Sequence, residues 1–473
     1  MSDVETVVRL VYLAAAVCFV LGLHLMRSPV TARRGNALSA GGMAAAVLAT
    51  VVLVADGAGP FDGVSPWAWL ALGAGTAVGA GGGLVSARRV EMTAMPQLVS
   101  LFNAVGGGAA AVVAVVEWLH RHGGGTLGAG VSVPVALDVL VGSVTFAGSL
   151  LAAAKLQGWV SGAPITFTGS RAATVACTVL GLGAAAWLVA VPSTVALLLT
   201  VLAALAFGVL MVLPIGGADM PVVVSLLNAF TGIAVAMAGF VVGNDVMIIA
   251  GALVGASGAI LTQLMAEAMN RSVVAVLVGG FGTGDSAQAG VASSAADVRR
   301  VDADDVAIQL AYARTVVIVP GYGLAAAQAQ RECGELGALL TARGITVLYA
   351  VHPVAGRMPG HMNVLLAEAD VPYAQLVEME EANPELAGCD VALVVGANDV
   401  TNPAARRPGN PISGMPILDV DRARSVVVIK RSLGHGYAGL DNELYALPQT
   451  GMLFADAKDG LTRVLAAVRT TVA

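Results

Sequence analysis

The chain has 473 residues, of which 57% are hydrophobic and 12% are charged, and its mean hydropathy is +0.81. A soluble protein of this length usually carries about twice that charged fraction. The formal charge of −6 gives no reason to expect a nucleic-acid partner. The four cysteines are far apart, so neither a disulfide framework nor a metal site is predicted. The apolar residues concentrate before about residue 270, which indicates a membrane part followed by one soluble domain.

Nine apolar stretches are long enough to cross a bilayer. They lie at about 6–26, 37–56, 66–87, 97–119, 133–156, 170–191, 193–213, 221–242 and 245–268. Only the letters VPST separate the sixth from the seventh, so eight spans is the alternative. Basic residues concentrate in the loops that follow odd-numbered spans. The positive-inside rule therefore predicts an amino terminus outside and a soluble domain in the cytoplasm.

The membrane part contains an internal repeat. The segments Met95–Gly107 and Met220–Gly232 are identical at eight of thirteen positions, and each opens a span. The repeat aligns Asn103 with Asn228, each about two turns inside its helix. Such parallel repeats place equivalent polar groups along a shared pathway. The alternative role for both asparagines is hydrogen bonding between helices.

Few other polar groups lie deep in the predicted spans. Ser149 is one of them, and Asp219 stands at the mouth of the eighth span. We expect these two residues, with Asn103 and Asn228, to line a pathway through the membrane part. The ionisable residues expected at or near span ends are Glu91, Glu117, Asp138, Lys155, Asp219, Asp245 and Glu267.

The chain changes character after Arg271. We expect a membrane domain over 1–272, a Gly- and Ser-rich linker over 273–300 and a soluble domain over 301–473. Helical patterns in the soluble domain include Leu324–Arg343 and Asp456–Val472. Its apolar runs are Thr315–Pro320, Ile345–Val351, Val391–Val395, Ser425–Lys430 and Met452–Phe454. This alternation predicts an α/β, Rossmann-like domain with a parallel sheet covered by helices.

The first apolar run of the soluble domain leads into a G-x-G-x-x-A turn and a helical pattern. In this motif Gly321 permits the tight turn, and Gly323 lets a pyrophosphate approach the backbone. Ala326 is expected to let the helix pack closely on the strand. Strand, turn and helix together predict a dinucleotide site; the alternative is an ordinary tight turn.

The strand ends favour NADP over NAD. An NAD-specific fold usually has an acidic residue after its second strand, but here that strand runs into His352 and Pro353. A later strand ends in Lys430, Arg431 and Ser432, two cations and a hydroxyl that suit a 2′-phosphate. The alternative is a basic strand end that only faces solvent.

Longer motifs resemble a known family. The strings GYGLAAAQAQ, HPVAGRMPGHMNVLLAEA, VALVVGANDVTNPAA, KRSLGHGYAG and MLFADAK look like the NADP(H)-binding domain of proton-translocating NAD(P) transhydrogenase. VEMTAMP, GGADMPVVVSLLNA, ALVGASGAILTQ and AMNRS are similar to its membrane domain. The resemblance implies the beta subunit of a Re/Si-specific enzyme in a bacterial inner membrane. It implies alpha subunits with the NAD(H)-binding domain and further transmembrane helices, and a dimer of alpha–beta units.

The resemblance also implies residue roles. Gly321, Tyr322 and Gly323 would lie against the NADP pyrophosphate, and Lys430, Arg431 and Ser432 would hold the 2′-phosphate. The loop that continues the binding surface comprises Val354, Ala355, Gly356, Arg357, Met358, Pro359 and Gly360. The nicotinamide side would be formed by Gly396, Ala397, Asn398 and Asp399. The segment expected to fold over the cofactor comprises Gly436, Tyr437, Ala438 and Gly439.

Asp399 is the candidate that links protonation to NADP(H) affinity, and the alternative is a capping role before Asn402 and Pro403. Hydride passes directly between two nicotinamides in this family, so catalysis rests on positioning the rings.

One departure from the family concerns the membrane part. Well-known members have a proton-transferring histidine where this sequence has Asn103, and an asparagine cannot titrate. Either the partner subunit or Asp219 would then supply the titrating group.

The competing hypothesis is a channel or secondary transporter whose Rossmann domain only senses nucleotides, although no TVGYG-type filter is present. An anchored dehydrogenase would need a small-substrate site and an acid–base residue, and the motifs supply neither.

Overall fold

The computed structural model describes most of the chain. The described residues are 3–26, 29–56, 64–122, 128–162, 164–216, 219–269, 272–274, 276, 298–356, 360–410, 412–434, 436, 438 and 440–471. The predicted linker therefore lies largely outside them.

The described amino-terminal part holds nine helices that are long and apolar enough to cross a membrane. They are α1 (Asp3–Leu25), α2 (Pro29–Ala55), α3 (Pro66–Arg89), α4 (Met95–His122), α5 (Ala129–Gln157), α6 (Ser170–Ala190), α7 (Thr194–Val212), α8 (Met220–Val242) and α9 (Asp245–Ala268). Each overlaps a predicted span. The alternative of eight spans is wrong, because α6 and α7 are separated by Val191, Pro192 and Ser193, and proline has no N–H to continue a helix.

Helices α4, α5 and α8 form the centre of the bundle. They pack on one another, α9 packs on α8, and α7 packs on α5. Small residues allow these close approaches: a Cβ on Gly232 would lie 2.2 Å from the backbone nitrogen of Gly255. Helix α3 differs from the rest, because none of its described residues is buried.

The carboxy-terminal part is an α/β domain. Its elements are α10 (Ala303–Ala311), β1 (Thr315–Pro320), α11 (Tyr322–Ala326), α12 (Gln330–Ala342), β2 (Thr346–Val351), α13 (His361–Glu368), β3 (Leu376–Glu378), α14 (Met379–Gly388), β4 (Val391–Val395), β5 (Ser425–Lys430), β6 (Thr450–Phe454) and α15 (Ala457–Thr471). The six strands are all parallel in the order β3-β2-β1-β4-β5-β6. Apolar cores cover both faces of the sheet, as the near-continuous apolar strands predict.

Two predictions for this domain need correction. The helix predicted over Leu324–Arg343 is two helices, because Gln328 adopts a left-handed φ of 50° and ends the run after α11. The short edge strand β3 was not predicted. The five predicted strands are confirmed, with β1, β4 and β5 matching at both ends.

Candidate functional site

The first structural feature of the site is a contact between two glycine turns at neighbouring strand ends. In an open parallel sheet, ligands bind where the strand order reverses, which here is the gap between the carboxyl ends of β1 and β4. Gly321 N donates to Val395 O at 2.9 Å, and Gly323 N donates to Gly396 O at 2.9 Å. Gly396 has a left-handed φ of 67°. The turns after β1 and β4 therefore form one backbone platform.

The glycines of this platform are required by packing. A Cβ on Gly321 would lie 2.3 Å from Ala397 Cα, and one on Gly323 would lie 2.6 Å from Gly396 Cα. The motif assigns Gly323 to the approach of a pyrophosphate, but the space beside its Cα is taken by Gly396.

Ala326 also departs from expectation. It is exposed at the end of α11, because the chain turns away there, and the buried contacts are made one and two residues earlier.

Asn398 connects the platform to the segment that follows β5. With its amide oriented to satisfy its neighbours, its oxygen accepts from Lys430 Nζ at 3.0 Å and from Gly436 N at 2.7 Å. Its amide nitrogen donates to Tyr445 Oη at 3.0 Å. Asn442 Nδ2 donates to the Asn398 carbonyl at 2.9 Å. Residues far apart in sequence are thus held together through one side chain.

Asp399 lies under the same segment. Its Oδ2 accepts from Ala438 N at 3.0 Å. A Cβ on Gly436 would lie 2.3 Å from Asp399 Oδ1, so a larger residue there would displace the carboxylate. The expected covering segment is therefore observed at Gly436 and Ala438, whereas Tyr437 and Gly439 lie outside the described residues.

The three residues at the end of β5 differ in their surroundings. Lys430 is half-buried, its Nζ donates to Gly434 O, and it lies 5.0 Å from the centre of the Tyr445 ring. Burial lowers the pKa of Lys430, opposed by the charges of Asp399 and Asp441. Arg431 and Ser432 are exposed. The guanidinium of Arg431 is therefore the cation of this group that faces solvent.

The loop after β2 forms the other side of the site. His352 is buried; its Nδ1 accepts from Val354 N at 3.2 Å and its Nε2 lies 2.8 Å from Pro416 O. This pattern fits a neutral imidazole that donates through Nε2, and burial lowers the pKa of His352. Ala355 is buried, and Gly356 turns the chain with a left-handed φ of 103°. The predicted contacts Arg357, Met358 and Pro359 lie outside the described residues.

Two residues of the site were missed by the sequence analysis. Burial raises the pKa of Tyr445, which keeps its hydroxyl protonated beside Asn398. Asn442 caps the short turn Glu443–Ala446 by accepting from Leu444 N at 3.0 Å. An asparagine before a helical turn is a recognisable cap. Its contact with Asn398 could not be inferred from spacing.

The polar residues predicted to line the membrane pathway lie on or next to α4, α5 and α8, which pack on one another. Asn103 is buried, and its Nδ2 donates to Val224 O on α8 at 3.2 Å. Ser149 is also buried, whereas Asn228 is half-buried. Asp219 immediately precedes α8. The predicted depth is correct: Asn103 and Asn228 each follow the first residue of their helix by eight positions.

These features define a class of protein: a multi-pass membrane protein whose parallel-sheet α/β domain has the glycine turn typical of dinucleotide sites. Comparison with known proteins is more specific. The family model for the NAD(P) transhydrogenase beta subunit matches residues 8–467. Two relatives described as NAD(P) transhydrogenase subunit beta, both from Rhodospirillum rubrum, are each 46% identical over 464 residues, covering 97% of this chain and 98% of the relative. The chain belongs to the NAD(P) transhydrogenase beta subunit family. It is an oxidoreductase subunit that uses nicotinamide nucleotides, and the channel or transporter alternative is not favoured.

Proposed function

We propose that this chain binds NADP(H) across the carboxyl ends of β1, β4 and β5. The alpha subunit that its family implies would carry NAD(H), and hydride transfer between the two would be coupled to proton movement across the membrane. NADP is favoured over NAD by the basic end of β5. There the exposed Arg431 lies beside the half-buried Lys430, adjacent to the glycine platform of β1 and β4.

The residues present fit such a cofactor. The glycine platform brings the carboxyl ends of β1 and β4 together without side chains between them. A guanidinium can hold a 2′-phosphate through two parallel hydrogen bonds, which a ribose hydroxyl cannot match. Because β5 and β2 lie on opposite sides of β1 and β4, the 2′-phosphate end would lie over β5. The nicotinamide supplies the hydride chemistry when it is bound; the chain positions the ring and excludes water.

Asp399 is proposed to link protonation to affinity. Its carboxylate accepts from Ala438 N and packs against Gly436, so it helps to hold the segment that follows β5. A protonated carboxyl accepts this hydrogen bond less well. Loss of this hydrogen bond would loosen the segment that follows β5, which is proposed to fold over the cofactor, and would lower the affinity for NADP(H). The pH dependence of NADP(H) affinity should therefore disappear in Asp399→Asn.

Calorimetry on the fragment 290–473 tests the cofactor assignment. Arg431→Ala and Lys430→Ala should weaken NADP(H) binding by about 1.5–3 kcal/mol and change NAD(H) binding far less. Arg424→Ala is the matched control, because Arg424 is exposed at the opposite end of β5 and pairs with Asp390 at 2.9 Å. Equal weakening of both nucleotides would contradict the assignment.

Subunit organisation follows from the same proposal. We propose a membrane domain over 1–272, a linker over 273–300 and a nucleotide domain over 301–473, with the amino terminus outside and the nucleotide domain in the cytoplasm. The partner would contribute further membrane helices, in a dimer of alpha–beta units within a bacterial inner membrane. The purified chain should bind NADP(H) yet transfer no hydride from it to NAD(H). Sustained transfer by this chain alone would refute the division of sites.

A further inference from the structure

The membrane domain buries a carboxylate at a depth that the sequence did not indicate. The sequence predicts Asp138 near a span end, whereas the structure places it nine residues after Ala129, the first residue of α5. At a rise of about 1.5 Å per residue this is about 13 Å along the helix. Its relative exposure is 0%, and no other described aspartate or glutamate is fully buried.

Asp138 lies on the side of α5 that packs against α4. Gly142, one turn farther along the same face, approaches α4 so closely that a Cβ there would lie 2.6 Å from Gly107 O. The adjacent Val139 belongs to an apolar cluster that includes Trp118 of α4. Neither carboxylate oxygen of Asp138 has a hydrogen-bond partner among the residues that the structure describes. Carboxylates in such places are costly and rare, and those that occur mark functional sites, proton relays among them.

A line of buried polar side chains leads from Asp138 along the same face of α5. Thr145 and Ser149 follow it at the helical spacings of seven and eleven residues, and both have a relative exposure of 0%. The carbonyl of Ser149 accepts from Ser100 Oγ on α4 at 2.9 Å. Asn103 lies about one turn farther along α4. This bond between α4 and α5 holds the line beside the asparagine predicted in the pathway. A group that can exchange a proton therefore lies on the same face as the end of the line next to that asparagine.

The other charged groups of the neighbouring helices do not neutralise Asp138. Helices α4, α6, α7 and α8 pack against α5. On α4, Glu117 and Arg121 pair with each other near the end of the helix, and His120 is exposed. Arg171 lies in the first turn of α6, and Asp219 precedes α8. On α5 itself, Lys155 lies in the last turn and donates to backbone carbonyls.

We propose that Asp138 is a proton-carrying residue of the membrane domain. Its carboxylate accepts a proton from the pathway that contains Asn103 and releases it toward the opposite end of the bundle. One proton is taken up and one is released; no electrons move, so no further reactant is needed. This inference rests on the proposed proton coupling, and it identifies within this chain a titrating group that neither asparagine can provide.

The test uses the complete complex of this chain with its alpha subunit partner, reconstituted in vesicles that contain a pH-sensitive dye. Asp138→Asn keeps the shape of the side chain and removes the exchangeable proton. Proton movement driven by hydride transfer should fall by about 100-fold. Asp138→Glu should retain it. The matched control is Asp245→Asn, which removes the same charge from an exposed position in the first turn of α9 and should pump at the wild-type rate.

A second measurement does not depend on pumping. Infrared difference spectra of the wild-type complex, taken between two pH values, should contain a carboxylic-acid band that shifts in Asp138→Glu and is missing in Asp138→Asn. Pumping by Asp138→Asn at the wild-type rate, or wild-type spectra without that band, would overturn the inference. If the Asn variant fails to assemble, the wild-type and Glu spectra decide. A wild-type complex that transfers hydride but moves no protons would instead refute the proposed function.

Discussion

The hairpins α4–α5 and α8–α9 begin with the two copies of the internal repeat, and they share their packing. Ser100 Oγ donates to Ser149 O at 2.9 Å, and the equivalent Ser225 Oγ donates to Gly258 O at 3.2 Å. Gly107 of the first hairpin faces Gly142, and the equivalent Gly232 of the second faces Gly251 and Gly255. The repeat therefore preserves the way that each helix pair meets.

The hairpins differ in their chemically active groups. Asn103 is buried and bonded to α8, whereas its equivalent Asn228 is half-buried. The first hairpin contains the buried Asp138 and Lys155, and among the described membrane helices no other Asp, Glu, Lys or Arg is buried. The serines and glycines that the repeat shares thus hold helices together. The two asparagines, whose surroundings differ, and Asp138 are the candidates for proton transfer. Four predictions test this division.

The largest effect is expected at the two asparagines. Asn228→Leu should reduce proton pumping in vesicles to background and slow the coupled hydride transfer, because an amide that holds water is lost. Its thermal stability should change little. Asn103→Leu should also lower stability, by about 1 kcal/mol, because Nδ2 loses its bond to Val224 O. Asn103→His should retain activity. Normal pumping by an intact Asn228→Leu complex would contradict the functional role, and unfolding of that variant would favour a structural one.

The second prediction concerns the glycines that bring the helices together. Gly232→Ala should destabilise the protein by about 1–3 kcal/mol. The added Cβ would lie 2.2 Å from the backbone nitrogen of Gly255, and a backbone atom within a packed helix cannot move aside. Gly107→Ala should cost less, because the nearest atom, Thr145 Cβ, lies 2.7 Å away and the nearest backbone atom, Gly142 O, lies 3.1 Å away. Gly183→Ala is the control, since nothing lies within 4 Å of that position. Thermal unfolding in detergent provides the measurement, and equal midpoints for all three would contradict the packing argument.

The fold was largely predictable because its signals are local. Each span is a continuous apolar run, and β1, β4 and β5 are runs of β-branched residues with clear ends. β3 has three residues, too few to show a period. The break between α11 and α12 depends on the left-handed Gln328, a residue type with no strong preference for that conformation.

The site was less predictable because its contacts join distant parts of the chain. The glycine motif identified β1, yet the partner of Gly321 is the turn at Gly396, and only strand order brings the two together. The roles of Asn442 and Tyr445 depend on contacts with Asn398. In the membrane part, the fifth apolar stretch was predicted to start at residue 133, whereas α5 begins earlier, at Ala129. Asp138 was therefore assigned to a helix end.

Lys155 provides the third prediction, at a position where the second hairpin has no described counterpart. Its Nζ donates to Leu213 O at 2.5 Å and to Ile215 O at 2.9 Å, just beyond the end of α7. The last turn of α9 contains no basic residue. Lys155→Met keeps most of the volume but removes the partner of Ile215 O, and should cost about 2 kcal/mol. Leu213 O keeps a bond from Ile165 N at 3.2 Å. Lys458→Met, which removes an exposed cation, should leave the unfolding midpoint unchanged.

The smallest effect is expected where the hairpins agree most closely. Ser100→Ala and Ser225→Ala each remove one hydroxyl that donates to a carbonyl of the adjacent helix. Such bonds between membrane helices contribute about 0.6 kcal/mol on average, so the two variants should lower the unfolding midpoint by similar, small amounts. Ser257→Ala is the control, because its hydroxyl is exposed and donates within its own helix, to Val254 O at 3.1 Å. Both variants should pump, since the repeat assigns these serines to packing. Loss of pumping in Ser100→Ala alone would place Ser100 in the proton line beside Ser149. Ser100 and Ser225 would then have different roles in the two hairpins.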